Sequence, residues 1–469
     1  MVWPFICIVL LIWYIVIVII AYIGFFEILG NYRSKKYLSL ETFEPVTILR
    51  PIKGIDPELE SCLESSFLQD YPHDKLEIIF CIDDKSDSSI PIINALIAKY
   101  PNIDAKIYYS KHENGRVLDH YGPNPKVNNL SKGFLAAKND ILWIMDSNVW
   151  ASSNILKNSI KSLNENLVNG GIKNVSKYSN LRKVKLVHQV PLAMAINKDK
   201  SIFSKLGSKL DEMFLFSSHS KFYVSLNKLN PAPCVNGKSN IFRRSDLDNA
   251  VAKIPYADNV FFKDLVIKQS AREISQQGPG NSLKFFAKYI GEDNMIAIAL
   301  WEFLFCRTTL TTDLVIQPLN KLEKSSHGVS EYFKRRIRWL RVRKYMVFMA
   351  TLIEPTTESI VCGTFGSLSL SYFLWDKWFS MKFFIFHMII WCITDYIQYI
   401  ILINNIQSGD KPFWFHFHDE TSDKLVWLFV WILREVFALP IWIMAMMGQT
   451  IDWRGKPFII KRDLTAEEL

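Results

Sequence analysis

The hydrophobic pattern changes character three times along the chain. From Val2 to Phe26 no side chain carries a charge. About 20 apolar residues suffice to cross a bilayer, so residues 1–27 are predicted to form an N-terminal transmembrane anchor. A secretory signal would have a basic start and a shorter apolar core. Here the basic residues Arg33, Lys35 and Lys36 follow the span instead. Lys and Arg are enriched on cytoplasmic flanks, which predicts a lumenal or external amino terminus and a cytosolic chain beyond it.

Between residues 40 and 327 short apolar runs alternate with helix-period segments. Runs at 46–50, 76–82, 104–109, 141–145 and 184–190 predict strands, and segments around 57–69, 89–99, 127–138 and 153–167 predict helices. Such alternation implies a parallel sheet covered on both faces. Residues 110–124, 163–182 and 256–282 read as surface insertions from their Gly, Pro, Asn, Lys and Ser content.

Residues 328–350 mix aromatics with dense positive charge, from Tyr332 and Phe333 through Arg341 to Tyr345. That is the pattern of a helix lying on a membrane surface, and a solvated basic face is the plainer reading. Apolar runs near 357–374, 380–404 and 425–447 then define a C-terminal membrane region, 356–448, and a basic tail fills 449–469. Charges inside spans are costly and face a partner or a ligand. Asp395 and Arg434 are therefore expected either to pair between helices or to meet a lipid headgroup. If all three late runs cross, the basic tail is lumenal, against the charge rule; if one is re-entrant, the tail is cytosolic.

Composition sharpens this division. Aromatics reach 14% and hydrophobics 49%, concentrated at the two ends, and the formal net charge is +9. Basic residues beside apolar runs suit an anionic membrane face or a phosphate-bearing substrate rather than nucleic acid. The seven cysteines contain no Cys-x-x-Cys pair, which argues against a disulfide framework or a zinc site.

Candidate chemistry lies where strands end on acids. The run Ile141–Met145 stops at Asp146, followed by Ser147 and Asn148. Ligands of open α/β sheets sit outside the carboxyl ends of the strands. A carboxylate with an amide oxygen two residues on suits a hard divalent cation that shares its shell with phosphates; a helix-capping Asp is the alternative. Asp83 and Asp84 end the strand Leu76–Ile82, and Glu292 and Asp293 precede an apolar helix, where acids also complement the helix dipole.

The order Asp84, Asp146, Asp293, then Arg335-Arg-Ile-Arg338-Trp339 resembles the D, D, D, (Q/R)xxRW pattern of inverting membrane glycosyltransferases with a GT-A fold. Flanking segments narrow the likeness to the ceramide glucosyltransferase family. They include Leu49–Pro57, Asn124–Leu130, Leu186-Val187-His188, Cys234–Ser239, Ile353-Glu354-Pro355, Asp395–Gln398 and Arg434-Glu435. The likeness covers nearly the whole chain, and the Lys- and Asn-rich insertions suit a fungal member.

The resemblance implies an α/β catalytic domain with a GT-A-like mixed, mostly parallel sheet, one N-terminal transmembrane helix and C-terminal membrane helices. It implies transfer of glucose from UDP-glucose to the primary hydroxyl of ceramide, with inversion, at a Golgi or ER-type membrane. Asp84 would help hold the uridine, and Asp146 would bind Mg²⁺ or Mn²⁺ at the diphosphate. Asp293 would be the general base and Glu292 structural. Arg338 would meet phosphate charge, Trp339 would wall sugar or lipid, and position 335 is Arg where many relatives have Gln. Lys126 and Asn128 would contact donor or lid. His188 reads equally as an acceptor-side residue and as a satisfied strand histidine. A polysaccharide synthase and a non-catalytic scaffold for lipid or nucleotide sugar are the alternatives.

Overall fold

The computed structural model describes residues 2–113, 116–164, 182–196, 202–319, 328–415, 421–453, 456–461 and 463–469. The chain divides into two units. One comprises Lys36–Pro191, Asn230–Pro318 and Trp453–Leu469; the other comprises Met1–Lys35, Leu192–Leu229 and Leu319–Asp452.

The first unit is built on an eight-stranded sheet. Its strands are β1 (Val46–Ile52), β2 (Leu76–Ile82), β3 (Asp104–Tyr109), β4 (Ile141–Met145), β5 (Trp150–Ala151), β6 (Lys183–Ala195), β7 (Ser239–Arg243) and β8 (Cys306–Leu319). The order across the sheet is β3-β2-β1-β4-β7-β6-β8-β5. Strands β3, β2, β1 and β4 run parallel. β7 is antiparallel to both β4 and β6, and β5 to β8. The parallel half is the one the alternation predicts, because parallel neighbours need crossover helices. β5, β7 and β8 lie outside that prediction; antiparallel strands need no crossover and leave no helical segment to mark them.

Strands β2 and β4 are buried along their whole length, and β1 at all but one position. Their Ile, Leu and Val side chains join Phe67, Trp143 and Ile155 in the core. One cation is folded into this core. Arg50 of β1 is fully buried and donates to the carbonyls of Cys62 (2.9 Å), Ser147 (3.1 Å) and Val149 (3.0 Å). It therefore fastens the turn after β4 to the middle of the sheet, although burial lowers its pKa to about 10. The helix Pro125–Ala136 starts two residues before its expected position. Asn124 caps it, accepting from the amides of Lys126 (3.0 Å) and Val127 (3.1 Å), and Pro125 fills the first turn.

The insertions differ from expectation in one case. Residues 256–282 contain the helix Leu265–Gln276, capped by Asp264, which accepts from Val266 N at 2.8 Å. The Gly-Pro-Gly run that suggested a loop lies beyond its end. Most of 163–182 lies outside the described residues.

The second unit is helical. Trp3–Asn31, Met381–Gln407 and Asp423–Met447 are long and apolar enough to cross a membrane. Each exposes rows of large apolar side chains, among them Ile12, Ile19, Ile389, Ile393, Ile432 and Ile443. Exposure on that scale marks lipid-facing surface. The helix Ser359–Trp375 is shorter, at 17 residues, and carries Gly363 and Gly366. Gly24 allows a close crossing: a Cβ there would lie 2.0 Å from the carbonyl oxygen of Lys221.

The stretch 192–229 supplies this unit with two helices joined by a π-helical turn, Leu215–His219. Such a turn interrupts the backbone ladder and frees carbonyls. Gln398 satisfies them, donating to the Phe216 carbonyl at 2.6 Å and the Ser217 carbonyl at 2.9 Å. Three residues earlier on the same helix, Asp395 is fully buried. Its partners are Lys221, at 2.6 Å, and the Trp431 indole, at 2.9 Å. Of the two alternatives expected for Asp395 and Arg434, a pair with each other is not formed. Arg434 instead engages Glu358 (2.7 Å) and Glu435, because Lys221 comes from a segment that the hydropathy pattern does not associate with the spans.

Removing one member of a buried ion pair strands the other charge, at a cost of about 3–5 kcal/mol. Lys221→Met should therefore lower the melting temperature in detergent, and adding Asp395→Leu should restore most of the loss. A single variant that melts like the parent would show that the pair is not structural.

Candidate active site

The register of β1, β2 and β4 brings their carboxyl ends to one edge of the sheet, so Asp84 and Asp146 both follow strands that end there. Asp84 is exposed, and its Oδ1 accepts from Ser86 N (2.8 Å) and Ser86 Oγ (2.9 Å). Asp146 lies within a network of charges. Its Oδ1 is 2.8 Å from Lys126 Nζ and its Oδ2 is 3.0 Å from Lys238 Nζ. Lys238 also donates to Asn148 Oδ1 at 3.2 Å. The antiparallel pairing of Met145 with Ser239 explains the meeting. One step beyond that pair, Asp146 N donates to the Lys238 carbonyl at 3.2 Å.

Lys126 is the hub. Besides Asp146 it contacts Glu292 Oε1 at 3.0 Å and donates to the Gly237 carbonyl at 3.0 Å. Glu292 is in turn held by Asn124 Nδ2 at 2.9 Å. Asp293 follows, at the start of the helix Glu292–Leu304. Glycine at position 237 leaves room for this approach: a Cβ there would stand 3.2 Å from Asp293 Oδ2 and 3.3 Å from Lys126 Nζ. A small cavity runs back from the cluster between Leu130, Ile144, Leu186, Phe242 and Ile296, with Lys126, Glu292 and Asp293 at its polar end.

These surroundings separate the two aspartates. Burial works against the Asp146 charge, but Lys126 and Lys238 outweigh it and hold the carboxyl far below the usual range. At Asp293, burial and then the neighbouring Glu292 charge raise the pKa to about 7, with Lys126 opposing. A permanent anion and a near-neutral base beside one another are the pairing that acid–base chemistry needs.

The other candidates of this unit have structural partners. Asn128 accepts from Tyr121 N at 3.0 Å and donates to the Gly122 carbonyl at 2.8 Å, which braces the 119–124 loop. His188 is fully buried within β6, opposite Asn240 of β7. Asn240 lines the cavity beside Asp293.

In the helical unit the basic motif lies on the helix Gly328–Met346. Arg335 pairs with Asp211 at 2.9 Å. Burial lifts the Asp211 pKa to about 6 against the charges of Arg335, Arg336 and Arg338. The Trp339 ring meets Phe214 (6.4 Å between centroids) and His219 (6.5 Å). Burial lowers the His219 pKa to about 3, so the ring is neutral, and among the described residues its buried Nδ1 has no hydrogen-bond partner.

Sequence reasoning assigned no role to Lys238, Gly237, Asp211 or His219. For Gly237 and Lys238 a signal existed, since Asn236-Gly237-Lys238-Ser239 is part of a segment that carries the family likeness. Asp211 and His219 lie in a stretch without a recognisable pattern.

The donor chemistry can be tested against a divalent ion. Asp146 Oδ2 and Asn148 Oδ1 converge on one point, and a cation already stands there, the Lys238 ammonium. Two oxygens so arranged fit a hard ion whose remaining ligands are phosphate and water. Among the described residues no three His, Cys, Asp or Glu side chains form a closed metal site.

A model of glycosyl transferase family 21 matches residues 10–251 and 277–466. The chain belongs to glycosyl transferase family 21. This family 21 chain is 52% identical to the ceramide glucosyltransferase of Candida albicans, over 98% of its own length and 97% of the relative's. It is 49% identical to the ceramide glucosyltransferase of Komagataella phaffii, over 98% and 91%. Among solved structures it is similar to a mannosyltransferase from Pyrobaculum calidifontis, with a TM-score of 0.42 and 14% identity over 95% of this chain and 97% of that one. The family match skips 252–276, which contains the helix Leu265–Gln276.

If Lys126 neutralises the acids, Lys126→Met should destabilise the protein by about 3–5 kcal/mol and Glu292→Gln should recover part of it. Thermal unfolding of the two variants and their combination measures the coupling. Strictly additive effects would remove Lys126 from its central role.

Proposed function

We propose that this transferase moves glucose from UDP-glucose to the primary hydroxyl of ceramide, with inversion at the anomeric carbon. The observation that carries this reading is the near-neutral Asp293 beside the lysine-neutralised Asp146, in a family 21 chain whose fungal relatives bear the name ceramide glucosyltransferase.

In this reading Asp293 removes the hydroxyl proton as the ceramide oxygen attacks the anomeric carbon. The bond from that carbon to the β-phosphate oxygen breaks on the opposite face, and UDP leaves with the electron pair. Lys126 and Lys238 supply positive charge at the end of β4, where negative charge on the diphosphate would develop. A divalent ion, Mg²⁺ or Mn²⁺, held by Asp146 and Asn148, adds Lewis-acid charge when bound. Arg338 and Trp339 keep the roles their motif implies, phosphate charge and a wall for sugar or lipid. The catalytic unit faces the cytosol of a Golgi or ER-type membrane, in line with the basic residues that follow the first span. The apolar spans suit an acceptor that never leaves the bilayer.

The test is transfer of labelled sugar to ceramide in detergent–lipid micelles, with UDP-galactose and ceramide-free controls. Glucosylceramide of inverted configuration is expected only with UDP-glucose and ceramide; label in polymer instead would overturn the acceptor. Since Asp293 acts as its anion, activity should rise as pH increases through about 7 and fall away below it. Asp293→Asn should keep UDP binding but lose at least about 10²-fold in turnover, and a variant that retains transfer would exclude Asp293 as the base.

A further inference from the structure

Asp146 is held by two lysines, and the two are not equivalent. Lys126 is committed elsewhere: Glu292 and the Gly237 carbonyl fix it, each at 3.0 Å. Lys238 Nζ meets Asp146 Oδ2 at 3.0 Å and Asn148 Oδ1 at 3.2 Å, the two oxygens that converge on the ion position. Its backbone is fixed by β7 and by Asn236 Oδ1, which accepts from Lys238 N at 3.1 Å. The side chain, by contrast, keeps 19% of its surface open and carries its ammonium on a flexible stem of four carbons. An ammonium and a divalent ion cannot share those two oxygens.

We propose that Lys238 is a tethered competitor for the metal position. The ammonium neutralises Asp146 from within the chain and lowers the affinity of the site for a divalent ion. When an ion binds, the side chain swings off Asp146 and Asn148, and its charge becomes available to an anionic group such as the donor diphosphate. This rests on the reading of Asp146 and Asn148 as the ion's ligands. Apparent affinity falls by the fraction of molecules in which the oxygens are free, so the device sets how much metal the enzyme needs. It also makes charge at the diphosphate end of the site a property that one side chain can tune.

The experiment is Mn²⁺ binding to the full-length protein in detergent, read by electron paramagnetic resonance without donor or acceptor. Lys238→Met should bind Mn²⁺ about tenfold more tightly than the parent. Lys238→Arg keeps the cation and should bind near the parent value, which guards against a fold-level effect of losing the side chain. Adding Asp146→Asn to Lys238→Met should abolish the gain. Equal affinity of the parent and Lys238→Met, with binding still lost on Asp146→Asn, would overturn the competition while leaving Asp146 as a ligand. No Mn²⁺ binding in either protein, or binding indifferent to Asp146→Asn, would overturn the ligand assignment and the competition with it.

Discussion

One half-buried ammonium lets three carboxylates occupy the same end of the sheet. Two like charges about 4 Å apart repel by about 4 kcal/mol at an effective protein dielectric, and Asp146, Glu292 and Asp293 would not assemble unaided. Lys126 contacts the first two, and its charge also acts on Asp293. Around that constraint the local sequence falls into place. Asn124 and Pro125 start the helix so that Lys126 emerges in its first turn, Gly237 leaves room for the approach, and Arg50 anchors the turn that carries Asp146. The neighbouring aspartates are then driven apart in acidity: at Asp146 two lysines outweigh burial, and at Asp293 burial and the Glu292 charge outweigh Lys126.

The helical unit obeys the same rule in a drier setting. Asp395 has Lys221 and Trp431, Arg434 has Glu358 and Glu435, and Gln398 serves carbonyls freed by the π-helical turn. Asp395 and Gln398 stand three residues apart on one helix and both address the same inserted segment, so its position depends on polar contacts rather than on apolar packing alone.

Much of this architecture was legible in the sequence. The long apolar spans, the parallel strands and the acids at their ends follow from periodicity and from the abrupt change of polarity at Asp146. The antiparallel strands β5, β7 and β8 were not legible, because pairing partners distant in sequence leave no local mark. The acids of the cluster and Lys126 were singled out in the sequence, and Lys238 was not. Lys238 looks like any lysine before a strand until the Met145–Ser239 register sets it beside Asp146. Likewise the partner of Asp395 could not be found by comparing spans, since Lys221 sits in a stretch that reads as part of the catalytic domain.

The route of the chain has a consequence for anyone wishing to work with a soluble fragment. The helical unit is assembled from three separate stretches, and the middle one, Leu192–Leu229, falls in the sequence between β6 and β7 of the catalytic sheet. Trimming the first helix and everything after residue 319 would leave that middle stretch behind, with Lys221 deprived of its carboxylate and the π-helical turn deprived of its amide. Neither end of the gene offers a place to cut the enzyme free of its membrane part; detaching it would require rebuilding an internal loop in place of some forty residues.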